Sequence, residues 1–93
     1  MFDFKGKVVL ITGASYGLGE QFAYAFADAG ADLILTARSL EILETVGAAC
    51  RDKGATVTVI PGDVSIEADV HRVIESGIEA HGHIDVLINN AGI

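Results

Sequence analysis

The sequence predicts an α/β fold in which a parallel sheet carries helices on both faces. Four short apolar runs alternate with three longer segments in which apolar residues recur every three or four positions. The chain is also 51% hydrophobic within only 93 residues, which is typical of strands buried on both sides. Strands that alternate with helices imply parallel pairing through right-handed crossovers.

The predicted strands cover residues 7–12, 32–37, 56–60 and 84–88, and the predicted helices cover 17–29, 40–52 and 65–81. Pro61 and Gly62 are expected to break the third strand, and Ser65 is expected to cap the third helix. The apolar stripes of the three helices are predicted in order as Leu18, Phe22, Ala25, Phe26 and Ala29; Leu40, Leu43, Val46 and Cys50; and Ile66, Val70, Val73, Ile74 and Ile78.

A glycine-rich turn at residues 12–19 joins the first strand to the first helix. Free backbone N–H groups and the helix dipole make such a helix start a site for phosphate. Gly13 is expected to form the tight turn, Gly17 to leave room for the phosphate, and Gly19 to let the helix approach the sheet. Ser15 supplies a hydroxyl donor, and Tyr16 and Leu18 complete this part of the candidate site. The turn predicts a bound dinucleotide; the alternative is a glycine-rich turn without a ligand.

Three motifs together resemble the compact members of the short-chain dehydrogenase/reductase family. They are Thr-Gly-x-x-x-Gly-x-Gly at 12–19, Asp63-Val64 after the third strand, and Asn89-Asn90-Ala91-Gly92 after the fourth. The spacing differs from the G-x-G-x-x-G of ordinary dehydrogenases and from a P-loop. The element order matches the first half of a Rossmann sheet with strand order 3-2-1-4. Residues 1–93 are therefore expected to be the N-terminal part of one NAD(P)-binding domain.

The resemblance assigns roles to the two later motifs. It implies that Asp63 accepts a hydrogen bond from the adenine amino group with the Val64 backbone beside it, and that Asn90, Ala91 and Gly92 lie along the cofactor ribose. Structural alternatives remain open for both motifs. Asp63 is also placed to be an acid at a helix N-terminus, and Asn89 or Asn90 to hold the fourth strand through the backbone.

Arg38 favours NADP(H) over NAD(H). Ala37 stands where NAD-preferring relatives usually place an aspartate, and an arginine fork can hold a 2′-phosphate with two hydrogen bonds. Many NADP-using relatives carry a further basic residue just before the middle glycine, where this chain has Tyr16. The alternative is a solvated arginine at the end of a strand.

The resemblance implies hydride transfer between the nicotinamide and a carbonyl or alcohol substrate. The chemistry of the family needs a tyrosine, a lysine four residues later and a serine. Tyr16 is followed at this spacing by Glu20 and Tyr24 by Asp28, so no residue is assigned a catalytic role. Those residues are expected beyond Ile93. The alternatives are a non-catalytic dinucleotide-binding module, a truncated gene product and a Rossmann methyltransferase.

The composition of the chain limits the binding partners, location and metal content that are expected. The net charge is −7 with only six scattered Lys and Arg residues, which argues against binding to nucleic acid or an anionic membrane. Cys50 is the one cysteine, and no leader or long apolar run is visible, so a cytoplasmic location is expected. His71, His81 and His83 lack metal-ligand spacing, so no metal is expected. The resemblance implies a homo-oligomer, and an open edge at the fourth strand predicts that the isolated 93 residues aggregate.

Overall fold

The computed structural model describes residues 3–90, which form one four-stranded parallel sheet and three helices. The strands are Val8–Thr12 (β1), Asp32–Ala37 (β2), Val57–Pro61 (β3) and Val86–Asn89 (β4), and the helices are Gly17–Asp28 (α1), Leu40–Asp52 (α2) and Glu67–His81 (α3). The strand order is β3-β2-β1-β4, which confirms the predicted order. None of the helices in this described part is long and apolar enough to cross a bilayer.

β1 lies at the centre of the sheet and is buried along its whole length. It pairs with β2 on one side and β4 on the other, and its last residue, Thr12, lies beside Thr36 and Asn89. Ala37 at the end of β2 lies beside Pro61 at the end of β3. Because all four strands are parallel, the turns that follow them open at one edge of the sheet.

The two faces of the sheet are packed differently. The larger core cluster lies on the side of α1 and α2 and includes Val9, Ile11, Leu33, Leu35 and Leu43. The smaller cluster lies on the side of α3 and consists of Val8, Leu10, Ile34, Ile60 and Val73. Alternate residues of β1 and β2 enter opposite clusters, as the pleat of a strand requires.

The predicted stripe of α1 is wrong at Leu18 and at Ala25, both of which are exposed. Leu18 is 57% exposed, and the residues that α1 buries are the small ones, Gly19, Ala23 and Ala27. Small side chains let the helix axis lie close to the sheet, so the larger apolar residues are displaced to the flanks of the contact. In α2, Leu43, Val46 and Cys50 are buried as predicted, but Leu40 is largely exposed.

α3 buries less of its apolar stripe than the sequence predicts. Val73 is buried and Gly77 lies against Ile34, where a Cβ would come within 2.5 Å of Ile34 Cδ1. Ile66, Ile74 and Ile78 are exposed. A groove of about 440 Å³ separates this side of α3 from Leu10 and from Leu87, which is 58% exposed. Within residues 3–90, β4 pairs with β1 alone, so its other edge is open.

The end of β3 and the start of α3 differ from the prediction. Pro61 ends β3 instead of breaking it, because β3 is the outermost strand of the described sheet and the bond to β2 at this point is donated by the Gly62 N–H, so no N–H is needed from Pro61. Ser65 is not the N-cap: α3 begins at Glu67 after Ile66. The N–H and hydroxyl of Ser65 instead both donate to Asp63 Oδ1, which draws Ser65 away from the helix.

The end of α3 is tied to the sheet by a histidine, which predicts a pH dependence of stability. His81 Nε2 lies 2.8 Å from Thr58 Oγ1, and burial lowers the pKa of His81, with His83 adding to this effect and Asp32 opposing it. The folded state therefore favours the neutral imidazole. As the pH falls through 6.5, the ordinary pKa, the unfolded chain takes up a proton before the folded chain does, and stability declines.

Urea unfolding at pH 7.5 and 5.5 measures this effect against His81→Gln, which has no titrating group at that position. We expect the wild-type protein to lose more unfolding free energy than the variant between the two pH values. An equal loss in both proteins would contradict the assignment to His81.

Candidate functional site

A crevice of about 770 Å³ lies at the sheet edge where the strands end. Its walls come from the turns after β1, β2 and β3 and from the residue after β4. Among the predicted site residues it brings together Gly13, Ser15, Tyr16, Gly17, Leu18, Arg38, Asp63, Val64 and Asn90. Gly19 lies behind this wall, and Ala91 and Gly92 lie outside the described residues.

The glycine turn has the backbone geometry that glycine allows. Gly13 and Gly17 both have φ of +64°, a region that other residues rarely adopt. A Cβ on Gly17 would meet nothing within 4 Å, so this side of the turn faces open space. Tyr16 occupies the N-cap of α1 without a capping hydrogen bond from its side chain. The start of α1 therefore presents N–H groups that can donate hydrogen bonds to a bound anion.

Gly19 permits a close approach between α1 and the sheet. A Cβ at this position would collide with the Gly13 carbonyl oxygen and would lie 2.7 Å from Asn90 Nδ2. The missing side chain lets the first turn of α1 contact the turn after β1 and the end of β4 together. This agrees with the structural role expected for Gly19 and identifies its neighbours as the Gly13 carbonyl and the Asn90 side chain.

Thr12, Asn89 and Asn90 hold the ends of β1 and β4 together. The Thr12 hydroxyl donates to Asn89 Oδ1 (3.1 Å) and accepts the backbone N–H of Asn90 (3.0 Å). The side-chain amide of Asn90 donates to the Gly13 carbonyl (3.2 Å). Both asparagines thus have the structural role left open above. Thr12 opens the predicted glycine motif but was assigned no role of its own, and a hydroxyl at the last position of a buried strand was the available signal.

The end of β2 contributes a cation and a hydroxyl to the crevice. Ala37 is buried, and the exposed Arg38 that follows it lines the crevice. Ser39, also on the crevice wall, is the N-cap of α2 and makes no capping hydrogen bond through its side chain. Ser39 was not among the predicted residues, although a serine just before a helix is a recognisable cap signal.

Asp63 is held as a carboxylate on the wall formed by the turn after β3. The hydroxyl and N–H of Ser65 donate to Oδ1 at 2.7 Å and 2.9 Å. These bonds lower the pKa of Asp63, partial burial opposes them, and the positive charge of Arg38 adds to the lowering. The acids in the first turn of α3 are Glu67 and Asp69, and Asp63 lies just before the helix.

Tyr24 is chemically unsuited to proton transfer near neutral pH. Its hydroxyl donates to Glu20 Oε2 at 2.6 Å, and this bond, together with burial and the charge of Glu20, raises the pKa of Tyr24 to about 12. A general acid needs a pKa near the working pH. The histidines have other partners: besides His81, His83 Nε2 pairs with Asp85 at 2.9 Å and His71 with Glu67 at 3.6 Å. Over residues 3–90, no three His, Cys, Asp or Glu side chains cluster as metal ligands do.

Known proteins share this arrangement. Residues 7–93 match the family model described as short chain dehydrogenase. An 11-beta-hydroxysteroid dehydrogenase from Pinus massoniana is 48% identical over 98% of the chain and 26% of its own length. The structure of L-sorbose reductase from Gluconobacter frateurii, complexed with NADPH and L-sorbose, superposes with a TM-score of 0.94 at 36% identity, covering 99% of this chain and 35% of that one. An NAD⁺-bound xylitol dehydrogenase gives a TM-score of 0.93 at 37% identity, covering 97% and 35%.

The fold is Rossmann-like, with a crevice at the sheet edge where the strands end. The chain belongs to the short-chain dehydrogenase family, whose members are oxidoreductases that bind nicotinamide dinucleotides. The chain spans about a quarter (26%) of the length of the 11-beta-hydroxysteroid dehydrogenase named above.

The close approach at Gly19 predicts a large difference between two glycine substitutions. Gly19→Ala puts a methyl group against the Gly13 carbonyl oxygen, which belongs to a backbone that cannot move alone. We expect it to lower the free energy of unfolding by about 2 kcal/mol or more. Gly47→Ala in α2 is the control, because its Cβ would meet a side-chain methyl, Val59 Cγ2, at 2.8 Å.

The Val59 side chain can move to make room, and alanine stabilises a helix relative to glycine by about 1 kcal/mol. Gly47→Ala is therefore expected to change the free energy of unfolding less than Gly19→Ala does. Chemical denaturation of the two variants measures the difference. An equal loss of stability would contradict the role given to Gly19.

Proposed function

We propose that this chain is the N-terminal part of one NAD(P)-binding Rossmann domain in an oxidoreductase that transfers hydride between NADP(H) and a carbonyl or alcohol substrate. The single observation that carries the proposal is the crevice, which joins an uncapped helix start, an arginine and a carboxylate along one sheet edge. These groups suit, in order, the pyrophosphate, the 2′-phosphate and the base of one dinucleotide.

The start of α1 is the proposed pyrophosphate site. Gly13 and Gly17 allow the backbone to come within reach of a phosphate, and the dipole of α1 favours negative charge there. Ser15 and the backbone at Tyr16 and Leu18 complete this end of the crevice. Gly19 contributes indirectly, since it lets α1 lie where its N-terminus points into the crevice.

Arg38 is the proposed partner of a 2′-phosphate. Ala37 brings no carboxylate that would repel the phosphate, and the Ser39 hydroxyl beside Arg38 is a further donor. The related structures include both an NADPH complex and an NAD⁺ complex, so the proposed preference for NADP(H) rests on Arg38 and its two neighbours in this chain. An arginine–phosphate pair at about 4 Å contributes about 1 to 4 kcal/mol, depending on the effective dielectric constant.

The opposite wall is the proposed adenine site. Asp63, held as a carboxylate, can accept from an exocyclic amino group, and the Val64 backbone lies beside it on the crevice wall. Asn90 lines the crevice nearest the glycine turn and is assigned to a ribose, together with Ala91 and Gly92.

The nicotinamide, when bound, supplies or accepts the hydride. The residues of this chain bind and orient the nucleotide, and none is assigned to proton transfer: Tyr24 keeps its proton at neutral pH because Glu20 accepts it in a hydrogen bond. The relatives named above act on substrates as different as a hydroxysteroid and L-sorbose, so the proposal stops at a carbonyl or alcohol. The cytoplasmic location and the homo-oligomer stay predictions.

A second candidate is a dinucleotide-binding module without catalysis. The crevice supports binding by either candidate, because none of the described residues that line it is assigned to proton transfer. The two candidates separate in one experiment, in which the protein at its full natural length is titrated with NADPH and NADH and then assayed for oxidation of NADPH by a panel of carbonyl compounds. Binding with turnover supports the oxidoreductase, binding alone supports the module, and no binding contradicts both.

The assignment of Arg38 predicts a selective loss of affinity. Arg38→Gln removes the charge but keeps a polar side chain, so we expect the Kd for NADPH to rise about tenfold or more. The Kd for NADH, which lacks the 2′-phosphate, should change by less than about twofold.

Lys53→Gln serves as the control, because it removes a cation whose partner is Asp28, outside the crevice wall. Isothermal titration calorimetry of the wild type and the two variants with NADPH and NADH gives the six dissociation constants. A similar loss for NADH, or a similar effect of Lys53→Gln, would contradict a specific 2′-phosphate contact.

A further inference from the structure

The turn between β3 and α3 is held mainly by side chains of α3. We call residues 61–65 the β3–α3 turn; it carries Asp63 and Val64 into the crevice. The Arg72 Nη2 group donates to the Pro61 carbonyl at 2.7 Å, and Asp69 Oδ2 accepts the backbone N–H of Asp63 at 2.8 Å. Two backbone contacts complete the attachment: the Gly62 N–H donates to the Ala37 carbonyl at 3.0 Å, and the Ile66 N–H donates to the Asp63 carbonyl at 2.9 Å.

Asp69 and Arg72 act as one unit. Arg72 Nη2 lies 3.5 Å from Asp69 Oδ1, so the carboxylate joins the guanidinium through one oxygen and the Asp63 amide through the other. The Asp69 side chain is only 28% exposed, which strengthens a charge-assisted bond relative to one in open solvent. The pair sits against the turn: a Cβ on Gly62 would lie 3.2 Å from Arg72 Nη2.

Little else in the described residues holds the turn from below. Thr36, at the end of β2, is fully buried, and its Oγ1 would lie 3.5 Å from a Cβ on Gly62. Within residues 3–90 this hydroxyl has no hydrogen-bond partner, so it does not anchor the turn to the sheet. The orientation of the Asp63 peptide therefore depends on the carboxylate of Asp69.

We propose that Asp69 and Arg72 are positioning residues for the adenosine half of the nucleotide. They contact neither the glycine turn nor Arg38, and they act by fixing the peptide from which Asp63 and Val64 face the crevice. Without the Asp69 acceptor the Asp63 N–H loses its partner, and the β3–α3 turn adopts several conformations instead of one. This inference rests on the proposed function, because it presumes that the crevice binds adenosine.

The chain contains a matched control at the other end of β3. Arg51 Nη2 donates to the Val57 carbonyl at 2.9 Å and pairs with Glu44 on its own helix at 4.0 Å. Arg51 and Arg72 thus each donate to a carbonyl of β3 and pair with a carboxylate of their own helix, but Arg51 does so at the end of β3 away from the crevice. A general loss of stability would affect both variants, whereas a positioning role would affect only one.

The experiment compares two fragments of the nucleotide in the protein at its full natural length. Calorimetry gives the Kd of 2′,5′-ADP, which carries the adenosine half, and an NMR titration gives the Kd of inorganic pyrophosphate. We expect Asp69→Ala and Arg72→Gln to raise the Kd of 2′,5′-ADP about tenfold and to leave that of pyrophosphate within about twofold. Asp69→Asn keeps an acceptor for the Asp63 N–H and should stay within about threefold of wild type.

Arg51→Gln should bind both fragments as the wild type does, with circular dichroism confirming that every variant is folded. The inference is overturned if Asp69→Ala binds 2′,5′-ADP like the wild type, or if Arg51→Gln weakens that binding as much as Arg72→Gln does. If the wild-type protein itself fails to bind 2′,5′-ADP, the proposed function fails as well, and the two failures are therefore distinguishable.

Discussion

The contact between the first turn of α1 and the ends of β1 and β4 is the constraint on which the site depends. Gly19 has no side chain, so the Gly13 carbonyl can lie against α1 and still accept the amide of Asn90 at 3.2 Å. The same approach aims the N-terminus of α1 along the sheet edge. A methyl group at Gly19 would separate the helix from the turn, and the N–H groups would no longer point into the crevice.

The packing of α1 follows from this contact. A helix that approaches the sheet closely at Gly19 must continue with small residues, and Ala23 and Ala27 are the ones it buries. α3 is not held close to the sheet along its whole length; its close contact with the sheet is at Gly77. Its first turns stand away from β1 and β4, which leaves Asp69 and Arg72 free to reach back to the β3–α3 turn.

The order of elements and strands was predictable because it depends on local periodicity and on the handedness of crossovers. Gly13, Gly17 and Arg38 were predictable for a similar reason, since Gly13 and Arg38 directly follow strands and Gly17 begins the helix after the first one. Thr12 and Asn90 bond across a separation of 78 residues, and no local pattern encodes that partnership. Ser65 was assigned to a cap on propensity alone, but the carboxylate of Asp63 competes for the same donors and prevails.

An acidic chain can still hold an anion, because the charges nearest the ligand differ from the average. The net charge of −7 is spread over the surface, and salt screens most of it beyond about 8 Å. Within the crevice, the start of α1 and Arg38 provide positive potential, while Asp63 provides negative potential on another wall. A ligand that carries phosphates at one end and an amino-bearing base at the other matches this polarity in one orientation only. The position of Asp63 relative to Arg38 therefore matters as much as the presence of either residue, which is why the side chains that hold the β3–α3 turn bear on recognition.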